Sequence, residues 1–329
     1  MSSIVSGTAG AERFRNWTTR NITISADEGN DTIENDAGWY AVLQGGNGDD
    51  SIQNNYGYAN TILGGIGKDR IINHAGAYSC VVGGTNNDII IMGGGSQNTT
   101  IDAGEGKNQV YLDYANYCIQ LSEGEGQTTV YGFTDSDTLF VKDNPFVTVA
   151  TGQDISVTAN NASLLLKDSK DKNYAFVGTL KTGESNVVYN IRDNAVINGS
   201  NAGDTIFNEG SNVLISTSEG DDVVSCAAAA SGVTIIPGKG RDTIYTYGHG
   251  DSINYTFQYN NGDAEDVIFG YCLNDTIQIL DAKPTVVAEN NDVVLQIGSG
   301  KITLKDCKGK KVSYRTNSEA VSNTIVTGE

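Results

Sequence analysis

Gly45-Gly46-Asn47-Gly48-Asp49-Asp50-Ser51-Ile52-Gln53 is the stretch on which the reading of this chain turns. It has the form GGxGxDxUx, where U is a large aliphatic residue. It returns as Gly64-Gly65-Ile66-Gly67-Lys68-Asp69-Arg70-Ile71-Ile72 and as Gly83-Gly84-Thr85-Asn86-Asn87-Asp88-Ile89-Ile90-Ile91. The glycines let the chain turn through φ > 0 without steric cost. The aspartate offers a hard oxygen ligand. The aliphatic residue opens a short strand and faces inward. A loop, a ligand and a strand at fixed spacing predict a stacked solenoid, in which each turn buries its apolar face against its neighbours.

The sixth motif position falls at Asp31, Asp50, Asp69 and Asp88, at a constant spacing of 19. Asn108 and Thr128 follow at a spacing of 20, where the carboxylate is lost. The inward aliphatics are Ile33, Ile52, Ile71, Ile90, Val110 and Val130. A second strand is expected around Leu43, Ile62 and Val81, then Thr100. Each turn thus holds two short strands and two connections, one rich in Gly and Asp, the other in Tyr and Asn. Residues 111–180 leave this rhythm and read as a β-rich cap. The loops resume at Asp204, Asp222 and Asp242, and Asp266 follows in NNGDAEDVIF. Residues 255–315 then echo the first cap: Tyr131–Leu139 aligns with Phe269–Ile277, and Ser163–Asp168 with Lys301–Asp306. The predicted class is all-β, a parallel β-roll or β-solenoid built as a tandem duplication. An N-terminal arm or cap covers 1–20, a first roll and cap 21–182, and a second roll, cap and tail 183–329.

Composition supports this class. Gly is frequent at 40 and Pro scarce at 3, yet β-branched and aromatic residues abound, which suits short strands joined by tight turns. The formal charge of −19 repels nucleic acid and anionic lipid, and it invites divalent cations. No apolar run is long enough to span a membrane. The first 20 residues lack the apolar core of a secretory signal peptide. His74 and His249 are the two histidines, and the five cysteines form no CxxC pair, so zinc is not expected. No GxSxG, HExxH or P-loop occurs. Asp49 with Asp50, and Asp221 with Asp222, are adjacent acids whose side chains point to opposite faces of a strand. The chain therefore reads as a non-enzyme.

Cys80 and Cys118 stand two turns apart, about 9.6 Å at strand spacing, too far for a disulfide. Both are expected as buried small residues. Cys272 and Cys307 differ: their counterparts in the first cap are Thr134 and Ser169. Two cysteines present together in one cap and absent together in the other predict a contact, either a disulfide or a buried thiol pair. Tyr40, Tyr56, Tyr58 and Tyr78, followed by Tyr111, Tyr114 and Tyr117, fall on or beside the second edge. Two readings fit them: a surface for sugar rings or a protein partner, and a shield over the edge.

The nonapeptides at 45–53, 64–72 and 83–91 resemble the repeat-in-toxin, or hemolysin-type calcium-binding, β-roll family. Weaker copies at 26–34, 199–207, 217–225 and 237–245 fit with substitutions. The resemblance covers roughly residues 21–110 and 195–270. It implies calcium as the cofactor, and secretion by a type I-like system that needs no N-terminal signal peptide. Carried over by position, it makes ligands of Asp31, Asp50, Asp69, Asp88, Asp204, Asp222 and Asp242. Loop carbonyls at glycine positions such as Gly48 and Gly67 would complete the shell. This chain departs from the family in carrying the motif on one connection per turn, so calcium would form a single file on one edge. Lys68 and Arg241 at position five and Lys239 at position three offer cations that would neutralise an aspartate without metal. Asn86 stands where a glycine is usual and tolerates left-handed geometry.

The expected function is a secreted, calcium-binding structural solenoid that assembles with copies of itself into a surface layer, matrix or fibre. The N-terminal arm, or the tail from Ser313 to Glu329, would lend a strand to a neighbour. The alternatives are an adhesin or carbohydrate-binding module on the tyrosine edge, at a glycan or cell surface, and a polysaccharide-active enzyme.

Overall fold

A computed structural model describes residues 3–17, 20–113, 116–122, 124, 126–142, 144–172, 174–247, 252–260, 262–263, 265–280, 282–316 and 322–325. Tyr114, His249 and most of the tail beyond 316 lie outside them. Every element among the described residues is a β-strand. The chain forms two compact units, Met1–Lys142 with Val149–Ala175, and Asp143–Thr148 with Phe176–Glu329.

In the first unit each turn lays one strand on each of two parallel sheets. Ile22–Ser25, Val42–Asn47, Thr61–Ile66 and Cys80–Thr85 stack in one sheet. Thr32–Asn35, Ser51–Asn54, Arg70–Asn73 and Ile89–Met92 stack in the other. Partners are one turn apart, as in Ile33↔Ile52 and Ile52↔Ile71. The predicted inward residues Ile33, Ile52, Ile71, Ile90, Val110 and Val130 all have no exposed surface. Burying each such side chain contributes roughly 1.5–3 kcal/mol. Facing them are Leu43, Ile62, Val81 and Ile101, equally buried. Ile101, rather than Thr100, takes the inward place, because it pairs with Val81 while Thr100 pairs with Cys80. The connection through Gly93-Gly94-Gly95 is one residue longer than its predecessors, which shifts the phase.

Residues 3–16 already form a turn. Ser3–Ser6 pairs in parallel with Ile22–Ser25, and Arg13–Asn16 with Thr32–Asn35. Glu12 stands 19 residues before Asp31, in the aspartate's place. The parallel stack also runs further than the glycine loops do. Tyr117–Leu121, Gln127–Tyr131 and Thr138–Val141 continue it through the expected cap. Their inward residues Ile119, Val130 and Leu139 keep the apolar pattern after the glycine motif has faded. The departure is an antiparallel hairpin, Asp154–Ala159 against Ala162–Leu166. Asn160, at φ 50°, makes its turn, as suits a short hairpin loop.

The second unit repeats this plan. Thr205–Asn208, Val223–Cys226, Thr243–Thr246 and Glu265–Phe269 stack in parallel, with Ile206, Val224, Ile244 and Ile268 inward. A hairpin of Asp292–Ile297 and Gly300–Leu304 follows, preceded by Thr285–Glu289. The two hairpins match in side-chain detail. Lys167 Nζ meets Asp154 Oδ2 at 2.5 Å, and Lys305 Nζ meets Asp292 Oδ2 at 2.5 Å.

Cys80 is exposed and Cys118 half-buried, contrary to the expectation of buried residues. Each precedes an inward aliphatic, Val81 or Ile119, so its side chain faces out. The edge away from the glycine loops is closed by an asparagine ladder two residues after the inward isoleucines. Asn16 Nδ2 donates to Asn35 Oδ1 at 2.7 Å, Asn35 to Asn54 at 2.6 Å and Asn54 to Asn73 at 2.6 Å. Buried amides need such partners, and a lost one costs about 1–3 kcal/mol. Asn54→Ala is therefore expected to lower unfolding free energy by about that amount in urea titration, while the neighbouring outward Gln53→Ala changes it by less than about 0.5 kcal/mol.

Candidate metal centre

Asp31, Asp50, Asp69 and Asp88 are buried and stacked in one column. Each main-chain N–H donates to the carboxylate of the next turn. Glu12 N donates to Asp31 Oδ1 at 2.7 Å, Asp31 N to Asp50 Oδ1 at 2.7 Å, Asp50 N to Asp69 Oδ1 at 2.9 Å and Asp69 N to Asp88 Oδ1 at 2.9 Å. Asp88 N ends the series on Asn108 Oδ1 at 2.8 Å. The second unit has the same column. Asp204 N donates to Asp222 Oδ1 at 2.6 Å, Asp222 N to Asp242 Oδ1 at 2.8 Å and Asp242 N to Asp266 Oδ1 at 2.8 Å. Asp266 was visible in the sequence as the acid before Val267-Ile268, but its spacing of 24 set it apart from the 19-residue series.

The other carboxylate oxygen is what makes these columns unusual. Oδ2 of Asp31, Asp50, Asp69, Asp88, Asp222, Asp242 and Asp266 is buried without a hydrogen-bond partner. Asp204 departs from the set, because both its oxygens are engaged. Its Oδ1 accepts from Asn186 N and Nδ2 and from Ser200 Oγ, and its Oδ2 accepts from Ser200 N.

The glycine at motif position one explains the packing around the unpartnered oxygen. A Cβ on Gly45 would lie 2.3 Å from Asp50 Oδ2 and 2.6 Å from the Gly64 carbonyl oxygen. The same pair recurs at Gly64, with Asp69 Oδ2 and Gly83 O, and at Gly83, with Asp88 Oδ2 and Ala103 O. Each free carboxylate oxygen of these three turns therefore shares its surroundings with a carbonyl of the next turn. Position one is Ala26 before Asp31, Thr217 before Asp222 and Pro237 before Asp242, so a side chain takes up that room. Gly48 and Gly67 serve close stacking: a Cβ there would come within 1.9 Å of Gly29 O and 2.0 Å of Gly48 O. Asn86 takes φ 82° in their column.

Among the described residues no three His, Cys, Asp or Glu side chains converge on one point. A cation here would take carboxylates singly from stacked turns and fill its shell with main-chain carbonyls. The residues fit such an ion best at Asp50, Asp69 and Asp88. They offer all-oxygen donors, unpartnered and in file. Two of the three cations that could neutralise an aspartate pair elsewhere, and the third, Lys68, is exposed. Lys239 pairs with Glu219 at 2.8 Å and Arg241 with Asp221 at 2.8 Å, on the exposed side of the loop. Adjacent residues point to opposite faces, so position five does not reach position six.

On the second edge, Tyr58 gathers Trp39, Tyr40 and Tyr78, with ring centroids 6.4, 6.1 and 5.1 Å away. Arg20 covers Trp39 at 4.2 Å. Tyr40 and Tyr78 hold left-handed backbone at φ 54° and 56°, uncommon for such residues. Neither Trp39 nor Arg20 occupies a recurring motif position, although Trp39 adjoins Tyr40. Tyr56 stands apart and lines a shallow hollow with Asp36, Asn55 and His74. Tyr111 stacks on Tyr131 on a sheet face. Tyr117 is buried, its hydroxyl bonded to Ser96 and Asp113. Cys272 and Cys307 are free thiols, not a disulfide. Both face the same segment, Cys272 Sγ at Gly270 O and Cys307 Sγ at Tyr271 O.

No family model matches the chain, and no curated protein matches it. Among solved structures, the extracellular lipase LipA from Serratia marcescens is similar at 13% identity and a TM-score of 0.27. The similarity covers 69% of this chain, which spans 37% of the length of that one.

Burial dominates the acidity of the columns. Desolvation raises Asp50 and Asp69 to about 6 and Asp88 to about 7, with donated N–H bonds opposing and like charges in the stack adding. Asp222 rises to about 6, and Asp242 and Asp266 are pushed up for the same cause. A carboxyl whose folded pKa exceeds its unfolded value of about 3.9 binds its proton more tightly when folded. Its contribution to stability is whole below about pH 4 and is lost as pH rises through the folded value. In chelator, the melting temperature is accordingly expected to fall between pH 5 and pH 8. A flat or rising profile in calorimetry would contradict the buried, cation-free column.

Proposed function

We propose that this chain is a secreted, non-enzymatic calcium-binding β-solenoid with a structural role, assembling with copies of itself outside the cell. The observation that carries this reading is the file of buried carboxylates, each with one oxygen unpartnered. An uncompensated buried carboxylate is costly, and a hard divalent cation is the partner its oxygen donors suit. At strand spacing of about 4.8 Å, equivalent oxygens of neighbouring turns stand about two calcium–oxygen lengths apart. Asp50, Asp69 and Asp88, with the carbonyls of Gly64, Gly83 and Ala103, are the proposed ligands. The resemblance of the glycine loops to the repeat-in-toxin family supports the same ion and an extracellular setting, where calcium is abundant. No helix among the described residues is long and apolar enough to cross a membrane. Assembly is supported by the first turn, where Ser3–Ser6 is the end strand of its sheet among the described residues and leaves Ile4 72% exposed. Such an edge is a template for a further strand.

A second reading is favoured by the aromatic cluster. Exposed rings of Trp39, Tyr40, Tyr58 and Tyr78 offer flat faces of the kind that bind sugar rings. Glycan-array binding lost in Tyr58→Ala, with the fold kept, would support it, and binding unchanged in that variant would count against it.

Calcium tests the main reading. A site held at a hundred times its dissociation constant adds about 2.7 kcal/mol. Saturating calcium at neutral pH is expected to raise the melting temperature by at least about 5 °C over chelator. The double variant Asp50→Asn, Asp69→Asn should lose most of that rise. Equal melting in calcium and chelator would sink the proposal.

A further inference from the structure

The outward face of the second unit carries a column of side chains one residue after the inward aliphatics. In register it runs Val147, Tyr189, Phe207, Ser225, Tyr245 and Phe269. Tyr189 and Phe207 stack at 4.7 Å and 11°, and Tyr245 and Phe269 at 4.9 Å and 13°. Ser225 stands between the two stacks. The column is therefore two rings, a gap and two rings. At strand spacing, the turns bearing Phe207 and Tyr245 are about 9.6 Å apart, room for one more flat group at ordinary stacking distance.

The adjacent column has the same interruption. Glu209, Ala227 and Tyr247 each follow a paired residue, Asn208, Cys226 and Thr246. Ala227 N donates to Asn208 O at 2.8 Å, which keeps the register beyond the strand end. Ser225 and Ala227 thus floor a notch one turn wide. Phe207 and Glu209 stand on one side, Tyr245 and Tyr247 on the other. Glu209 is exposed and Tyr247 is 58% exposed.

We propose that this notch is a binding slot for an arginine side chain of a basic protein partner, its guanidinium lying between Phe207 and Tyr245 with Glu209 at the rim. The guanidinium is planar, stacks on aromatic faces and pairs with carboxylates. The net charge of −19 draws such a partner in and turns anionic ones away. A neutral planar group keeps the stacking and loses the charge. The slot lies on the outward face, apart from the aspartate column, so it stands whether or not calcium binds.

The test is an amide chemical-shift titration of the full chain with N-acetylarginine amide, and with N-acetylcitrulline amide as its neutral isostere. The arginine probe is expected to move the amides of Phe207, Ser225, Ala227 and Tyr245, and citrulline to bind about fivefold more weakly. Ser225→Phe, which fills the gap and completes the stack, should weaken the arginine probe at least about tenfold while keeping the melting temperature. Glu209→Gln should bring arginine near the citrulline value. If Ser225→Phe does not fold, Ala227→Leu closes the same notch. Shifts spread over the acidic surface, no shifts at these amides, or binding unchanged in the filled variant would each overturn the slot.

Discussion

Asp50 takes a hydrogen bond from the main chain of the turn before and gives its own N–H to the carboxylate of the turn after. This contact recurs along both columns and fixes the register of the glycine edge. It also leaves a problem at every aspartate rung but Asp204. One oxygen is satisfied, while the other is buried and bare, and the next carboxylate is about 4.8 Å away. Like charges that close in a desolvated file repel. A proton or a shared cation relieves the repulsion: a protonated Oδ2 could donate to the neighbouring carbonyl, and a cation could take both oxygens as ligands.

The constraint divides the molecule. On the glycine edge, position one must be small wherever the carboxylate and the next carbonyl close on it, as at Gly45, Gly64 and Gly83. Where Thr217 or Pro237 takes that place the column persists, but its surroundings are no longer built of oxygen alone. On the other edge neutral asparagine amides link the turns, with donors and acceptors matched and no charge to settle. The outward faces, free of both demands, carry rings, and a single serine interrupts one ring column.

Much of this was legible because stacking imposes a strict period. Asp31, Asp50, Asp69 and Asp88 betray the edge, and Ile33, Ile52, Ile71 and Ile90 the core, since an in-register turn tolerates no slip of either. The first turn was not legible, because Glu12 and Phe14 do the work of aspartate and isoleucine without the glycines. The stack through Leu139 was missed for a related reason: its core pattern outlasts its loop motif. The faces of Cys80 and Cys118 follow from alternation along a strand, once Val81 and Ile119 are seen to point in. The period and the strand alternation separate Asp50, in the column, from Asp49, which faces solvent. What they do not show is which motif aspartates already have partners. Asp204 matches the motif, yet Ser200 and Asn186 already occupy its oxygens.

The protonation of the column is the quantity on which the account stands. It can be read from the carboxyl 13C shifts of the aspartates, followed against pH in chelator and again in calcium. The account predicts that Asp50, Asp69 and Asp88 titrate near neutrality in chelator, and that calcium keeps them ionised through the same range. Carboxyls that titrate near the ordinary aspartate value in both conditions would contradict it.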